Sequence, residues 1–268
     1  AKGSNAHSKM IEDSLKEAGI KLIPHRFPAE DKGIRPETTV SFVVKFPGGG
    51  RAIATYAGNA DKLITPDVIT DELVKDSDLV FVQGSLYRKF DYAMPDRLLD
   101  LARKYKKRVW MTLPTHGWYV AGHHEMLRQR IEANAAMIFG NEEELIMLYG
   151  VKTRDEAVDI LKKAMQTNKH IKTAFITMGK NGVMIVTKDS VIKRPTIRVP
   201  KVVNTLGAGD IAIAGFMVGQ LSGLTYEESA KIGLILAKHK IMQDSARIPN
   251  PAAVLKQELP DLAKRIGL

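Results

Sequence analysis

Residues 204–210 read NTLGAGD, set between an extended stretch, TIRVPKVV (196–203), and a run of small and apolar residues, IAIAGFMVGQL (211–221). Gly207 and Gly209 allow backbone geometry that side chains would forbid, and Ala208 is nearly as small, so successive N–H groups can close around an anion. The start of the following helix adds free N–H groups and the positive end of its dipole. An oxyanion or phosphate is the guest this arrangement suits. Asp210 sits in the same field, which favours its ionised form and leaves it able to accept a proton from an incoming hydroxyl. The plainer reading makes Asp210 a helix cap and the glycines a turn. That reading accounts poorly for the whole set followed by a tightly packed helix containing Ala212, Ala214, Gly215 and Gly219.

Working outward, helical and extended patterns alternate along the chain, which predicts a mainly parallel sheet covered by helices. The runs DLVFVQG (78–84), RVWMTLP (108–114), AAMIFG (135–140) and TAFITMG (173–179) read as buried strands. Between them PDRLLDLARKYKK, the segment around HHEMLRQRIEAN, EEELIMLYG and RDEAVDILKKAMQ carry helical spacing. VMIVTK (183–188) and TIRVPKVV (196–203) add antiparallel strands, and the remainder reads as three helices: IAIAGFMVGQL, YEESAKIGLILAKHKIM and AAVLKQELPDLAKRI. Upstream, KMIEDSLKEAG (9–19) reads as an amphipathic helix with Met10, Ile11, Leu15 and Ala18 on one side and a stop at Gly19. VSFVVKF (40–46) and RAIATYA (51–57) flank Pro47 and Gly48 to Gly50, which reads as a hairpin and not as a P-loop, since no Gly-Lys-Ser/Thr follows.

In such a sheet ligands lie beyond the carboxyl ends of the parallel strands, so the strand ends at Gln83-Gly84, Pro114-Thr115-His116, Gly140-Asn141 and Met178-Gly179 are the candidates. Three motifs then stand in order. Asn204 to Asp210 resembles the D-T-x-G-A-G-D signature of the ribokinase/PfkB carbohydrate and nucleoside kinase family, Asn141-Glu142-Glu143-Glu144 fits its N-x-x-E, and Thr177 to Gly182 fits its T-x-G-x-x-G nucleotide loop. The resemblance runs over roughly residues 9–268. It implies a three-layer α-β-α ribokinase-like fold, residues 1–268 as a single α/β domain, and a small β lid built from residues 38–57.

It also implies roles. Asp210 would be the base, and the amides of Gly207, Ala208 and Gly209 would hold the charge that develops on the transferred phosphate. Asn141 and Glu144 would organise the water shell of a magnesium ion beside the ATP phosphates. By their residue types alone the same pair reads as a helix start, Asn141 as cap and Glu144 as its capping-box partner, and both roles can coexist. Thr177, Gly179, Gly182, Asn204 and Thr205 would border ATP, although two glycines between strands also make an ordinary turn. FGNEEEL (139–145) and MTLPTHGWYVAGHHEML (111–127) look most like adenosine kinase-type members. The implied reaction is ATP-dependent phosphorylation of a hydroxymethyl group on a nucleoside, with adenosine first. The alternatives are a sugar such as ribose or fructose, or a non-catalytic nucleotide-binding member. Arg51, in a segment resembling the family's G-x-R, is a candidate beside the transferred phosphate or a tie between lid and core, and equally a solvent-facing strand arginine. His116, His123 and His124 read as structural or surface residues, with His116 a substrate-loop candidate.

Two departures carry consequences. Asn204 stands where the signature usually has Asp, removing one negative charge while keeping hydrogen-bonding capacity. The strand with a substrate-binding Asp that family members carry near their start is not found ahead of the helix at residue 9, and GSNAHS (3–8) is at most a remnant of their Gly-Gly motif. The expectation is a partial sequence of a longer protein or, failing that, a shortened member. The formal charge of +10 suits an anionic substrate as well as nucleic acid. Its lysines and arginines are spread, as in the solvated helix end RKYKKR (103–108), with no aromatic-interleaved basic module, so no nucleic-acid partner is expected. No apolar run is long enough to span a bilayer, so no membrane partner is expected. The absence of cysteine excludes thiol chemistry and fits a reducing, cytoplasmic setting. A homodimer paired through the lid remains compatible with the resemblance.

Overall fold

The structure, a computed structural model, describes residues 6–22, 36–46, 51–90, 92–114, 122–168, 170–245 and 247–268. By its contacts the chain divides into two compact units, Ala1–Asp71 and Glu72–Leu268.

The first unit holds α1 (Ala6–Glu17), the hairpin β1 (Val40–Lys45) and β2 (Arg51–Tyr56), and the short α2 (Ala60–Leu63). β1 and β2 pair antiparallel from Val40 opposite Tyr56 to Lys45 opposite Arg51. Pro47 to Gly50, the expected hairpin tip, lie outside the described residues. α1 forms as its spacing predicts and ends before Gly19, whose φ is +70°. Its expected apolar side is unevenly covered: Leu15 is half-buried, whereas Met10 is 69% exposed. Ser8 is the buried anchor, its Oγ 2.6 Å from Thr38 Oγ1.

The second unit follows α3 (Asp71–Lys75), which straddles the boundary. Its sheet takes the order β3 (Leu79–Val82), β4 (Arg108–Thr112), β5 (Met137–Asn141), β6 (Thr173–Thr177), β7 (Val183–Val186), β8 (Val191–Arg194). The first four are parallel and the last two antiparallel. α4 (Ala93–Lys104), α5 (His124–Asn134), and α6 (Glu142–Tyr149) with α7 (Arg154–Thr167) make the three crossovers. With neighbouring strands added in sequence order, right-handed connections put these helices on one face of the sheet. α8 (Ala208–Leu221) and α9 (Tyr226–Ile241) cover the other, followed by α10 (Pro251–Glu258) and α11 (Pro260–Arg265). This is the three-layer ribokinase-like arrangement.

Alternation along the strands sends Met137, Phe139, Phe175, Val183 and Ile185 into one cluster with Ala212, Phe216, Ala230 and Leu234 of α8 and α9. Phe216 stacks on Phe175 with ring centroids 4.3 Å apart, which pins α8 to the sheet. α8 and α9 approach closely because their seam is made of small residues: a Cβ on Gly215 would fall 2.7 Å from Gly233 Cα. The start of α8 is therefore held at the carboxyl edge of β5 and β6 by packing.

Two sequence expectations are corrected. TIRVPKVV is not a strand; the sheet ends with Val191–Arg194. The turn between β7 and β8 is tighter than expected, with Thr187 N donating to Ser190 O at 2.9 Å and Ser190 N to Thr187 Oγ1 at 3.0 Å, so pairing begins five residues early. Pro195, which has no N–H, then stops it. The expected helix AAVLKQELPDLAKRI is two helices, because Pro260 cannot donate into α10 and Leu259 takes φ −141°, ψ 57° between them.

Candidate active site

Asn141 ends β5 and caps α6 in the same step. Its Oδ1 accepts from Glu144 N at 2.8 Å, and Glu144 Oε2 accepts from Asn141 N at 2.9 Å. The capping box read from the sequence is complete, with Asn in place of the usual Ser or Thr. Glu144 is only 8% exposed. Burial first, then the negative charges of Asp210 and Glu143, push its carboxyl up to about 7, against the downward pull of the Asn141 amide. The effect of Asp210 on Glu144 puts the starts of α6 and α8 in one electrostatic environment. Space is tight, since a Cβ on Gly140 would lie 2.8 Å from both Glu144 Oε2 and Leu113 Cδ1.

At the end of β6, Thr177 Oγ1 reaches toward Gly140 O at 3.4 Å, tying the two strand ends. Met178 N donates to Gly182 O at 2.8 Å and Asn181 N to Met178 O at 3.0 Å, closing residues 178–182 into one tight loop. Gly182 has φ +93°, and a Cβ there would run into the backbone carbonyl of Arg194, so this position admits only glycine.

The third motif opens α8. Asn204 is buried; its Oδ1 accepts from Leu206 N at 3.0 Å and its Nδ2 donates to Asp244 O at 2.7 Å. Gly207 takes the left-handed conformation, φ +79° and ψ 1°, and turns the chain into the helix. Among the described residues the N–H groups of Gly207, Gly209 and Asp210 meet no protein acceptor, while that of Ala208 donates to Thr205 O at 3.1 Å. Gly209 differs from the sequence expectation, because its backbone is helical and a Cβ would meet only Thr177 Oγ1, at 3.8 Å. Asp210 lies in the first turn of α8 and is exposed.

Beside these residues is a cavity of about 510 Å³. Thr177, Gly179, Gly182, Thr205, Ala208 and Gly209 line it, so residues from two of the three motifs share one wall. The rest of its lining was not foreseen: an apolar wall including Val199, Val202, Ala237 and Ile241, and the cationic side chains Lys180, Arg198 and Lys238. Pro195 and Pro200 were the available signal that residues 196–203 leave the sheet and are free to form a wall. Lys238 also holds Glu258 at 2.8 Å. A second cavity, about 590 Å³, lies by Ile171, Thr187 and Tyr226, toward the amino end of β6, and contains none of the motif residues.

Four candidates remain. Arg51 opens β2 in the first unit, and its side chain lies outside the described residues, as does all of His116. His123 and His124 begin α5, and among the described residues no group of three His, Cys, Asp or Glu is placed to hold a metal ion.

Free N–H groups at a helix start, a glycine-bounded loop on the neighbouring strand and an adjacent cavity stand together at the edge of an open α/β sheet where anionic ligands are commonly held. The pfkB family carbohydrate kinases match residues 2–253, and the chain belongs to that family. Among curated relatives it is 28% identical over 207 residues to a 1-phosphofructokinase of Haloferax volcanii, covering 75% of this chain and 62% of that one. It is 24% identical over 201 residues to 5-dehydro-2-deoxygluconokinase 2 of Bacillus cereus, covering 70% and 59%. The chain thus spans about three fifths of the length of these relatives. Among solved structures, adenosine kinase from Sinorhizobium meliloti superposes with a TM-score of 0.78 at 22% identity, over 96% of this chain and 75% of that one. A probable sugar kinase from Rhizobium etli gives 0.80 at 21%, over 95% and 74%.

Proposed function

We propose that the protein transfers the γ-phosphoryl group of ATP to a hydroxymethyl group of a nucleoside, adenosine first. The observation that carries this reading is the convergence of the Gly207–Asp210 helix start with the Thr177–Gly182 loop at one sheet edge, beside a cavity of nucleotide size.

Several of the chain's own residues suit the nucleotide and phosphoryl-transfer roles. The apolar wall of Val199, Val202, Ala237 and Ile241 suits a flat base, and Lys180, Arg198 and Lys238 suit a polyphosphate. Asp210 takes the proton of the incoming hydroxyl as its oxygen bonds to the γ-phosphorus, the bond from that phosphorus to the β,γ-bridging oxygen breaks, and ADP leaves. The N–H groups of Gly207 and Gly209 hold the negative charge on the phosphoryl oxygens, and Ala208 joins them if its bond to Thr205 opens. Asn141 Oδ1 and Glu144 Oε2 are already engaged with each other's backbone. Their remaining polar atoms fit a hydrated magnesium ion held through water, not an inner-sphere cage. Bound there, magnesium would neutralise phosphate charge.

The names of the two curated relatives favour a second reading, a sugar as acceptor. The β1–β2 hairpin is assigned the lid role, with Arg51 at its edge as an acceptor-side or lid residue. Its exposed Phe42, Val44 and Tyr56, which the pairing register puts on one side of the hairpin, would provide the face for a lid-to-lid homodimer. No described helix is long and apolar enough to cross a membrane; a cytoplasmic enzyme without a nucleic-acid partner is the matching proposal.

A coupled ATP assay across adenosine, other nucleosides, ribose, fructose and fructose 1-phosphate tests this. Turnover of adenosine supports the first reading and turnover of a sugar alone the second. ATP binding without phosphorylation of any acceptor defeats both in favour of a non-catalytic member.

A further inference from the structure

Lys240, in the last turn of α9, is fully buried, with 0% of its surface exposed. A buried ammonium is costly unless hydrogen bonds satisfy it, so a lysine there calls for a reason that packing does not supply. Among its bonds is one from Nζ to the backbone carbonyl oxygen of Asn204, at 2.9 Å.

Asn204 is the first residue of the glycine signature, and the end of α9 holds it from several sides. Val203 N and Asn204 N both donate to Ile241 O, at 2.7 and 3.2 Å. Asn204 Nδ2 donates to Asp244 O, and Asn204 Oδ1 accepts from Leu206 N. Residues 203–206 lie outside helix and sheet, so no ladder of backbone bonds fixes them. Their geometry is set by this cradle, and the Lys240 bond supplies its charged member. The turn they form leads directly into Gly207, whose left-handed backbone sets the direction of the first α8 N–H groups.

We propose that Lys240 is a positioning residue for phosphoryl transfer: bonded to the Asn204 carbonyl, it presets the Asn204–Gly207 turn that directs the Gly207 and Gly209 N–H groups to the transferred phosphate. This rests on the phosphoryl-transfer reading above. A small misdirection of such donors costs turnover more than it costs substrate binding, because they act most strongly on the charge of the transition state.

The test compares Lys240→Met, Lys240→Arg and Lys240→Ala in the full chain, with an acceptor that the unsubstituted protein turns over. Lys240→Met is expected to melt cooperatively and keep its KM for the acceptor within about threefold while kcat falls on the order of 100-fold. Lys240→Arg should recover part of kcat, and added ethylammonium should partly restore Lys240→Ala. Unchanged kcat in Lys240→Met overturns the inference. So does a loss of kcat that merely follows the unfolded fraction, with KM rising alongside. If the unsubstituted protein phosphorylates no acceptor, the kinase reading has failed on its own account, and pyrophosphate titration decides the role of Lys240. At least about tenfold weaker binding by folded Lys240→Met, a difference of roughly 1.4 kcal/mol, supports it, and equal binding overturns it.

Discussion

Asn141 and Glu144 each accept a hydrogen bond from the other's backbone nitrogen, at 2.8 and 2.9 Å, across the junction where β5 becomes α6. The arrangement satisfies two N–H groups of the helix start and holds a carboxyl in a nearly closed space.

That carboxyl has a pKa of about 7 in the folded protein against an ordinary 4.5. A carboxyl raised by folding holds its proton more tightly in the native state, so its contribution is full below pH 4.5 and is lost as pH climbs through about 7. In magnesium-free buffer, urea unfolding should show the unsubstituted protein losing roughly 1–3 kcal/mol relative to Glu144→Gln between those limits. Gln keeps an acceptor for the Asn141 N–H and has nothing to titrate. Parallel stability curves for the two proteins across the window would remove the assigned cause.

Asp210 carries the proposed proton transfer without structural duty in its own helix cap, since Gly207 is the capping residue. Asp210→Asn should therefore lower kcat by about 10²–10⁴ and leave MgATP affinity within about threefold. Stopped-flow turnover with calorimetric ATP binding measures both; near-normal kcat would end its assignment as the base.

Two glycines of the site separate by what surrounds them. Gly182 has φ +93° and the Arg194 carbonyl where a Cβ would go, so Gly182→Ala should cost about 2 kcal/mol or more and lower the melting temperature. Gly209 is helical with room beside Thr177, so Gly209→Ala should leave the fold intact or stabilise it by about 0.5–1 kcal/mol. Turnover should nevertheless fall, since the methyl group enters the space the phosphate is proposed to use. A Gly209→Ala enzyme with full activity would place the phosphate elsewhere.

Much of this was legible because short-range chemistry fixes it. The strands β3 to β7 announce themselves as apolar runs, and Asn141 with Glu144 three residues on is a local signal that folds locally. What escaped was long-range. Nothing near Lys240 in sequence indicates that its ammonium meets the carbonyl of Asn204, 36 residues away. Residues 196–203 have strand-forming composition, yet Pro195 and the tight Thr187–Ser190 turn release them to line a cavity. Arg198 and Lys238 meet at that cavity from a loop and a helix that no spacing rule connects.

The cavity wall on α9 gives a final test, because base and phosphate contacts fall on different residues. Ala237, on α9, lines the cavity on the wall assigned to the base, whereas the N–H groups assigned to the phosphate belong to the start of α8. Ala237→Phe adds a ring to the space assigned to the base. Loss of that wall's fit should weaken ATP by about 10- to 100-fold, a change of roughly 1.4–2.8 kcal/mol, while tripolyphosphate, which has no base, keeps its affinity. Equal weakening of both ligands would mean that the ring disturbs the phosphate hole. Unchanged ATP affinity would move the base out of this cavity and with it the assignment of Val199, Val202 and Ile241 as its wall.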